Sequence, residues 1–208
     1  MTKPRVLLIG GSLACPSHTG ALLRAAERTL AVHGAGTCLW DVASRRLRPP
    51  EPGGAADPGA RVLAAAATTA DALVIASPLY HGSYSGVVKD TLDHLSAREL
   101  EGKPVALLSH SGGFPCTQAL DHLRQVVRAL LAVAIPRQVV TTNADYRLDR
   151  DRYSLINKAI DDRLGALAEQ LVWTALRLRP DTHEPPANGV PAARRSRPLT
   201  GTTQRRTR

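Results

Sequence analysis

Aromatic side chains are scarce in this chain: one Phe, two Trp and four Tyr among 208 residues, with a single Met. Its core must therefore be built largely from Ala, Val and Leu. Cysteine is equally thin. Cys15, Cys38 and Cys116 are scattered, and no CxxC occurs. That excludes a disulfide framework and a zinc site built on cysteine pairs, and it fits a reducing compartment. No long apolar run is present either. Met1 to Arg5 lead straight into a short apolar stretch ending at Gly10, too short for a signal-peptide core or a membrane span. The expectation is a soluble, untargeted, cytoplasmic protein.

Negative charge is the other shortage. Lys and Arg number 27 against 18 Asp and Glu, for a net charge of +9. The excess is local. From Arg177 to Arg208 eight arginines face only Asp181 and Glu184, so that end carries +6 and the remainder +3. Five prolines and no apolar periodicity give this end the composition of a solvated, disordered extension. Charge that is not spread over the fold does not describe a nucleic-acid surface, so a nucleic-acid partner is not the expected one; a nucleic-acid or acidic-partner arm is the alternative for this end. With 43% hydrophobic residues the chain can bury one substantial core. The expected division is a folded domain over 1–178 and an Arg/Pro-rich tail over 179–208.

What is present is an alternation of strands and helices. Arg5–Gly10 is a continuous apolar run, the pattern of a strand buried on both faces. Thr19–His33 follows as an amphipathic helix, with Leu22, Leu23, Ala26 and Leu30 inward and Arg24, Glu27 and Arg28 outward. Further strands are predicted at Thr37–Val42, Asp71–Ser77, Pro104–His110 and Pro136–Thr142. Helices are predicted at Ala60–Thr69, from an N-cap at Ser85 to about Leu95, at Thr117–Val133 and at Tyr153–Leu178. Arg45–Gly59 is a long loop. Parallel strands need crossover helices, so the fold class is α/β. The specific expectation is a flavodoxin-like three-layer sandwich, with a five-stranded parallel sheet in the order 2-1-3-4-5 and helices on both faces.

In that order the loops after the first and third strands meet at the switch point. Both are unusually small-residue loops. The first, Gly10 to Thr19, ends Ser17-His18-Thr19 at a helix start, where free N–H groups and the helix dipole favour an anion. It has neither the P-loop lysine nor the GxGxxG pattern of a dinucleotide fold, so a single phosphate such as that of FMN is the economical ligand. The alternative for Ser17 or Thr19 is helix capping alone. The second loop is Ser77-Pro78-Leu79-Tyr80-His81-Gly82-Ser83-Tyr84-Ser85-Gly86. Its backbone suits the pyrimidine edge of a flavin, with Leu79 and Tyr80 as apolar contacts; packing or an interface is the alternative for Tyr80. Ser111-Gly112-Gly113, after the fourth strand, would close the other side. Lys89 and Asp93, four apart on a helix, read as an ion pair rather than as catalytic groups.

His18, His81 and His110 fall in these loops, but their spacing matches no metal motif. No GxSxG appears, which argues against a hydrolase. Hydride transfer from a nicotinamide to flavin N5 needs stacking and orientation rather than a protein acid or base, so no catalytic side chain and no metal ligand is assigned.

Together the motifs resemble the NADPH-dependent FMN reductase family. Gly11-Ser12-Leu13-Ala14-Cys15-Pro16-Ser17-His18-Thr19 is similar to its GS-x-R-x-x-S-x-[NT] segment, and Ser77 through Lys89 to its [ST]P-x-Y-x-[GA]S-[YFI]-[STP]-G-x-x-K segment. Gly102-Lys103-Pro104-Val105 leading into Ser111-Gly112-Gly113 also fits, and the likeness covers about Val6–Trp173. The resemblance implies Ser12, Ser17 and Thr19 on the FMN phosphate. It implies Pro78, Leu79, Tyr80, Gly82 and Ser83 along the isoalloxazine, with Ser111, Gly112 and Gly113 opposite. His18 and His81 complete the expected cofactor-binding set. The family's loop-one arginine is Ala14 here, and His18 is the expected partial replacement.

The Ser-Tyr-Ser-Gly ending resembles the branch that supplies reduced flavin to two-component monooxygenases of the alkanesulfonate type. The implied function is an NAD(P)H-dependent FMN reductase that transfers hydride to flavin N5 and hands reduced flavin to a partner monooxygenase. FMN and NADPH or NADH are the implied cofactors, and a homodimer or homotetramer the implied assembly. The alternatives are an FMN-retaining quinone, azo or metal-ion reductase, and a non-catalytic flavodoxin-like flavin-binding protein.

Overall fold

A computed structural model describes residues 2–51 and 57–179. Five parallel strands form the frame: β1 (Arg5–Gly10), β2 (Gly36–Asp41), β3 (Ala72–Tyr80), β5 (Pro104–His110) and β6 (Val133–Thr141), in the order β2-β1-β3-β5-β6. This is the order 2-1-3-4-5 expected of a flavodoxin-like fold. A two-residue strand, β4 (Ser83–Tyr84), pairs antiparallel with the far end of β3.

Alternation along the buried strands sorts side chains to two faces. Val6, Leu8, Val74, Ala76, Ala106 and Leu108 face α1 (His18–Val32) and α6 (Lys158–Leu178). Leu7, Ile9, Leu73, Ile75, Val105 and Leu107 face α2 (Pro58–Thr69), α3 (Gly86–Leu92) and α5 (Gln118–Ala129). A short helix, α4 (Ala97–Leu100), opens on a Ser96/Glu99 capping box. The cores are aliphatic, as the shortage of aromatics requires; Trp40 and Tyr146 are the buried exceptions.

The helix starts follow local chemistry. Ser17 is extended and its hydroxyl accepts from Gly20 N at 3.0 Å, which opens α1. Ser85 does the same for α3, accepting from Val88 N, and Asn157 for α6, accepting from Ala159 N.

Four expectations are corrected. Pro78 does not end its strand: β3 runs on to Tyr80, with Pro78 opposite His110 of β5. The neighbour β1 stops opposite Ala76, so Pro78 lies where a missing N–H leaves no ladder bond unmade. Likewise β6 starts at Val133 and carries Pro136 inside it, which an edge strand tolerates, at a shift in register with β5. The helix after Ser85 stops at Leu92 rather than Leu95. Finally, Tyr153 does not begin the last helix. Residues Tyr146–Asp149 (β7) and Arg152–Leu155 (β8) form an antiparallel hairpin, and α6 starts at Lys158.

Among the described residues no helix is long and apolar enough to cross a membrane. The expected tail lies outside the described residues except for Arg179. That guanidinium pairs with Asp71 at 2.7 Å and donates to the carbonyls of Thr2 and Lys3.

Candidate functional site

The carboxyl ends of β1, β3 and β5 carry the loops singled out from sequence, and hydrogen bonds lock two of them together. Gly11 N donates to Ala76 O at 2.8 Å. Ser85 donates its hydroxyl to Gly11 O at 2.6 Å, while its N–H donates to Ser77 Oγ at 2.9 Å. Ser77 and Ser85 are buried, so these bonds are shielded from water. Gly11 is required for the approach: a Cβ there would stand 2.1 Å from Val88 Cγ2. The loop after β1 thus sits directly against the start of α3.

Beyond Pro78, Leu79 and Tyr80 pair with Tyr84 and Ser83 in a tight hairpin. Its turn is His81-Gly82, both at positive φ (49° and 79°), the conformation of a type I′ hairpin turn. His81 and Tyr80 are exposed, and the Ser83 hydroxyl lies 2.9 Å from His122 Nδ1 on α5. After β5, Ser111 N donates to Thr141 O, and Gly112 O accepts from Asn143 N at 2.7 Å with Gly112 at φ 66°. Phe114, the chain's one Phe, is 86% exposed on this loop.

Ser12, Ser17 and Thr19 come together in a cavity of about 250 Å³ beside the start of α1. Ala14, Gly20, Arg24, Asp41 and Arg152 also line it. Ser12 is 7% and Thr19 2% exposed. Ser17 serves as the helix cap and as a cavity wall at once. The three loops do not all line this one chamber: residues 78–83 and 111–113 stand outside it.

His18 stands apart from its expected place. Its ring does not line the cavity; it stacks on His110, with centroids 4.3 Å apart and planes 8° apart, and lies 3.8 Å from the Tyr153 ring. Burial lowers the His18 pKa. His110, held by Thr141 Oγ1 and Asn143 Oδ1, is lowered to about 4 by burial and then by His18. Both rings are neutral near pH 7, so His18 does not supply the charge that an arginine at position 14 would. Tyr146 donates to Thr141 Oγ1 at 2.9 Å, and burial pushes its phenol pKa up. Lys89 and Asp93 form the expected i,i+4 pair, 2.6 Å apart at the surface.

Sequence reasoning passed over Arg24, Asp41 and Arg152. A helix-surface arginine looks like an ordinary polar face, and Arg152 was hidden by the unrecognised hairpin. The available signal was Ala14 itself, an uncharged residue where the resembled family carries an arginine.

Fold and strand-end loops together define a flavodoxin-like α/β protein whose small-residue loops gather at the topological switch point. Residues 4–146 match the sequence model of NADPH-dependent FMN reductases, and the chain belongs to that family. It is 35% identical over 173 residues to an FMN-dependent NADPH-azoreductase of Staphylococcus saprophyticus, covering 80% of this chain and 92% of that protein. A protein of the same name from Staphylococcus aureus is 34% identical over the same shares. Among solved structures, the FerB NAD(P)H:(acceptor) oxidoreductase of Paracoccus denitrificans superimposes with a TM-score of 0.69 at 18% identity, covering 85% of this chain and 98% of that one. An apo NADH:FMN oxidoreductase (EmoB) gives 0.64 at 21%, covering 88% and 92%. These likenesses at low identity speak for the fold. Family membership makes the chain an oxidoreductase that uses FMN and a nicotinamide nucleotide.

Proposed function

We propose that the protein is an NAD(P)H-dependent reductase that retains FMN at the strand ends and passes electrons to an azo or quinone acceptor. The cavity at the start of α1 carries the flavin reading. It presents Ser12, Ser17 and Thr19 at a helix N-terminus, and the Thr19 hydroxyl, on a side chain that is almost wholly buried, has no partner among the described residues. A phosphate monoester satisfies such donors. The acceptor class rests on the two staphylococcal relatives named as azoreductases.

Bound FMN supplies a ring that takes a hydride from a nicotinamide and gives up electrons to an acceptor. The residues of this chain bind and orient. Ser12, Ser17 and Thr19 take the phosphate; Pro78, Leu79, Tyr80, His81, Gly82 and Ser83 flank one edge of the ring; Ser111, Gly112 and Gly113 flank the other. The exposed faces of Tyr80 and Phe114 offer planar apolar contact to a flat acceptor. The Ser77–Ser85–Gly11 bonds keep the phosphate and ring sides at a fixed separation. A homodimer or homotetramer belongs to the same reading and is checked by sedimentation.

Purified protein is expected to be yellow and to follow ping-pong kinetics with NADPH and a quinone or azo dye. Absence of flavin-dependent oxidation of either nicotinamide removes the proposal. One observation favours the second reading, supply of reduced flavin to a monooxygenase: the cavity wall carries the uncharged Ala14 where the family's loop has an arginine. Protein that purifies colourless, and turns over NADPH only with added FMN that leaves reduced, selects that reading instead. The folded domain is taken to run through Arg179, whose guanidinium pairs with Asp71.

A further inference from the structure

We infer that Arg24 and Arg152 together hold the 5′-phosphate of the flavin, supplying from α1 and the β7–β8 hairpin the charge absent at position 14. The inference rests on the reading that FMN occupies the strand-end site.

The geometry begins at Gly20. Helical side chains lean toward the N-terminus, so Arg24 extends one turn back over Gly20. A Cβ on Gly20 would stand 3.0 Å from Ser17 Oγ and 3.4 Å from Arg24 Nη1. The guanidinium and the cap hydroxyl therefore meet above a backbone position that carries no side chain. Arg152, the first residue of β8, lines the same cavity. The hairpin that carries it is anchored on α1 by Tyr153, whose ring lies against His18.

Among the described residues neither arginine has an ion-pair partner, and neither head group donates a hydrogen bond there. Asp41 and Asp151 line the cavity too. Asp41, however, is engaged by Ala43 N at 3.1 Å in the turn after β2, and Asp151 stands exposed in the hairpin turn. Burial, then Arg152 and Arg28, lower the Arg24 pKa, and Cys15 and Asp41 oppose them only as the smallest causes: cations are crowded here. An adjoining groove between α1 and the hairpin, lined by Arg24, Arg28, Arg152 and Tyr153, continues the positive field outward.

A separate observation points to a ligand in the same place. Thr19 is 2% exposed, lines the cavity, and its hydroxyl is unpartnered among the described residues. A dianion between Ser17, Thr19, Arg24 and Arg152 satisfies the hydroxyl and both cations. Guanidinium forks suit phosphate oxygens in pairs. The 2′-phosphate of NADPH has the same chemistry, but the flavin phosphate is favoured because the cations share their cavity with the α1 N-terminus.

The test is flavin-fluorescence titration of apoprotein with FMN and with riboflavin, which lacks the phosphate. Arg24→Ala and Arg152→Ala are each expected to raise the FMN Kd by about 10- to 100-fold, the scale of one lost charge-assisted hydrogen bond. Riboflavin affinity should stay unchanged, so discrimination between the two flavins collapses. Arg24→Ala combined with Ala14→Arg is expected to regain most of the lost FMN affinity, a recovery that a merely structural role for Arg24 does not give. Wild-type FMN affinity in both single variants overturns the inference, as does an equal loss for FMN and riboflavin. A changed NADPH-to-NADH preference with FMN binding intact overturns it in favour of the 2′-phosphate. Wild-type protein that binds neither flavin overturns the FMN reading itself, whereas phosphate-dependent binding untouched by the variants overturns only the role of the arginines.

Discussion

His110 has a folded pKa of about 4 because it is buried and because His18 stacks on it. In the unfolded chain its pKa returns to about 6.5. Below that pH the unfolded state takes up a proton that the folded state refuses, so stability falls as pH drops from about 6.5 toward 4. The loss reaches on the order of 3 kcal/mol at the low end and is absent above about pH 7. His110→Gln should flatten this part of the profile, which melting temperatures from pH 4 to 7.5 would show; an unchanged slope refutes the assignment. Gly11→Ala tests a second residue. Its Cβ would overlap Val88, so a destabilisation of about 1–3 kcal/mol in urea unfolding is expected. That Ser12, Ser17 and Thr19 converge was legible in the sequence, since the loop after β1 runs straight into the start of α1. Arg24 was not, because the same outward helix position serves solvent or ligand depending on what folds over it. His18 looked like a phosphate ligand until Tyr153 arrived to hold its ring.

Elements were legible where a period was long and its ends were marked. The strand Pro104–His110 and the Ser85 cap stand as the sequence predicts them. The β7–β8 hairpin was hidden: Ile156, Ile160, Leu164, Leu167 and Leu171 continue a helical period back to a stretch whose partner strand is only four residues long. Prolines misled for a related reason. A proline breaks a ladder only where a neighbour needs its N–H, and neither Pro78 nor Pro136 stands at such a place. Ser85 has two tasks, capping α3 and holding Gly11 O, and Ser85→Ala should therefore cost about 1–3 kcal/mol. Guanidinium unfolding measures that cost. A change below a few tenths would show that the loops after β1 and β3 are joined by packing alone.

For the molecule as a whole, the strand order followed from the alternation of elements, because right-handed crossovers leave few alternatives. The way the fold closes on itself did not. Arg179 reads as the first residue of a charged tail, yet it clasps Asp71 and the carbonyls of Thr2 and Lys3. Asp71 in turn accepts from Arg5 N at 2.7 Å, so one carboxylate gathers the last helix and the first strand. Arg179→Ala is expected to lower stability by about 1 kcal/mol, as the partly exposed pair is screened by solvent. The loss should concentrate in amide exchange near Arg5 and Asp71, and uniform exchange would refute it. Because residues 2 and 179 are held at one spot, a short linker could join them and new termini be opened in an exposed turn. The Asp149–Arg152 turn is the wrong place to cut, since it would free the strand that delivers Arg152. A circular permutant opened after Gly102 would keep every loop of the flavin site on an unbroken segment.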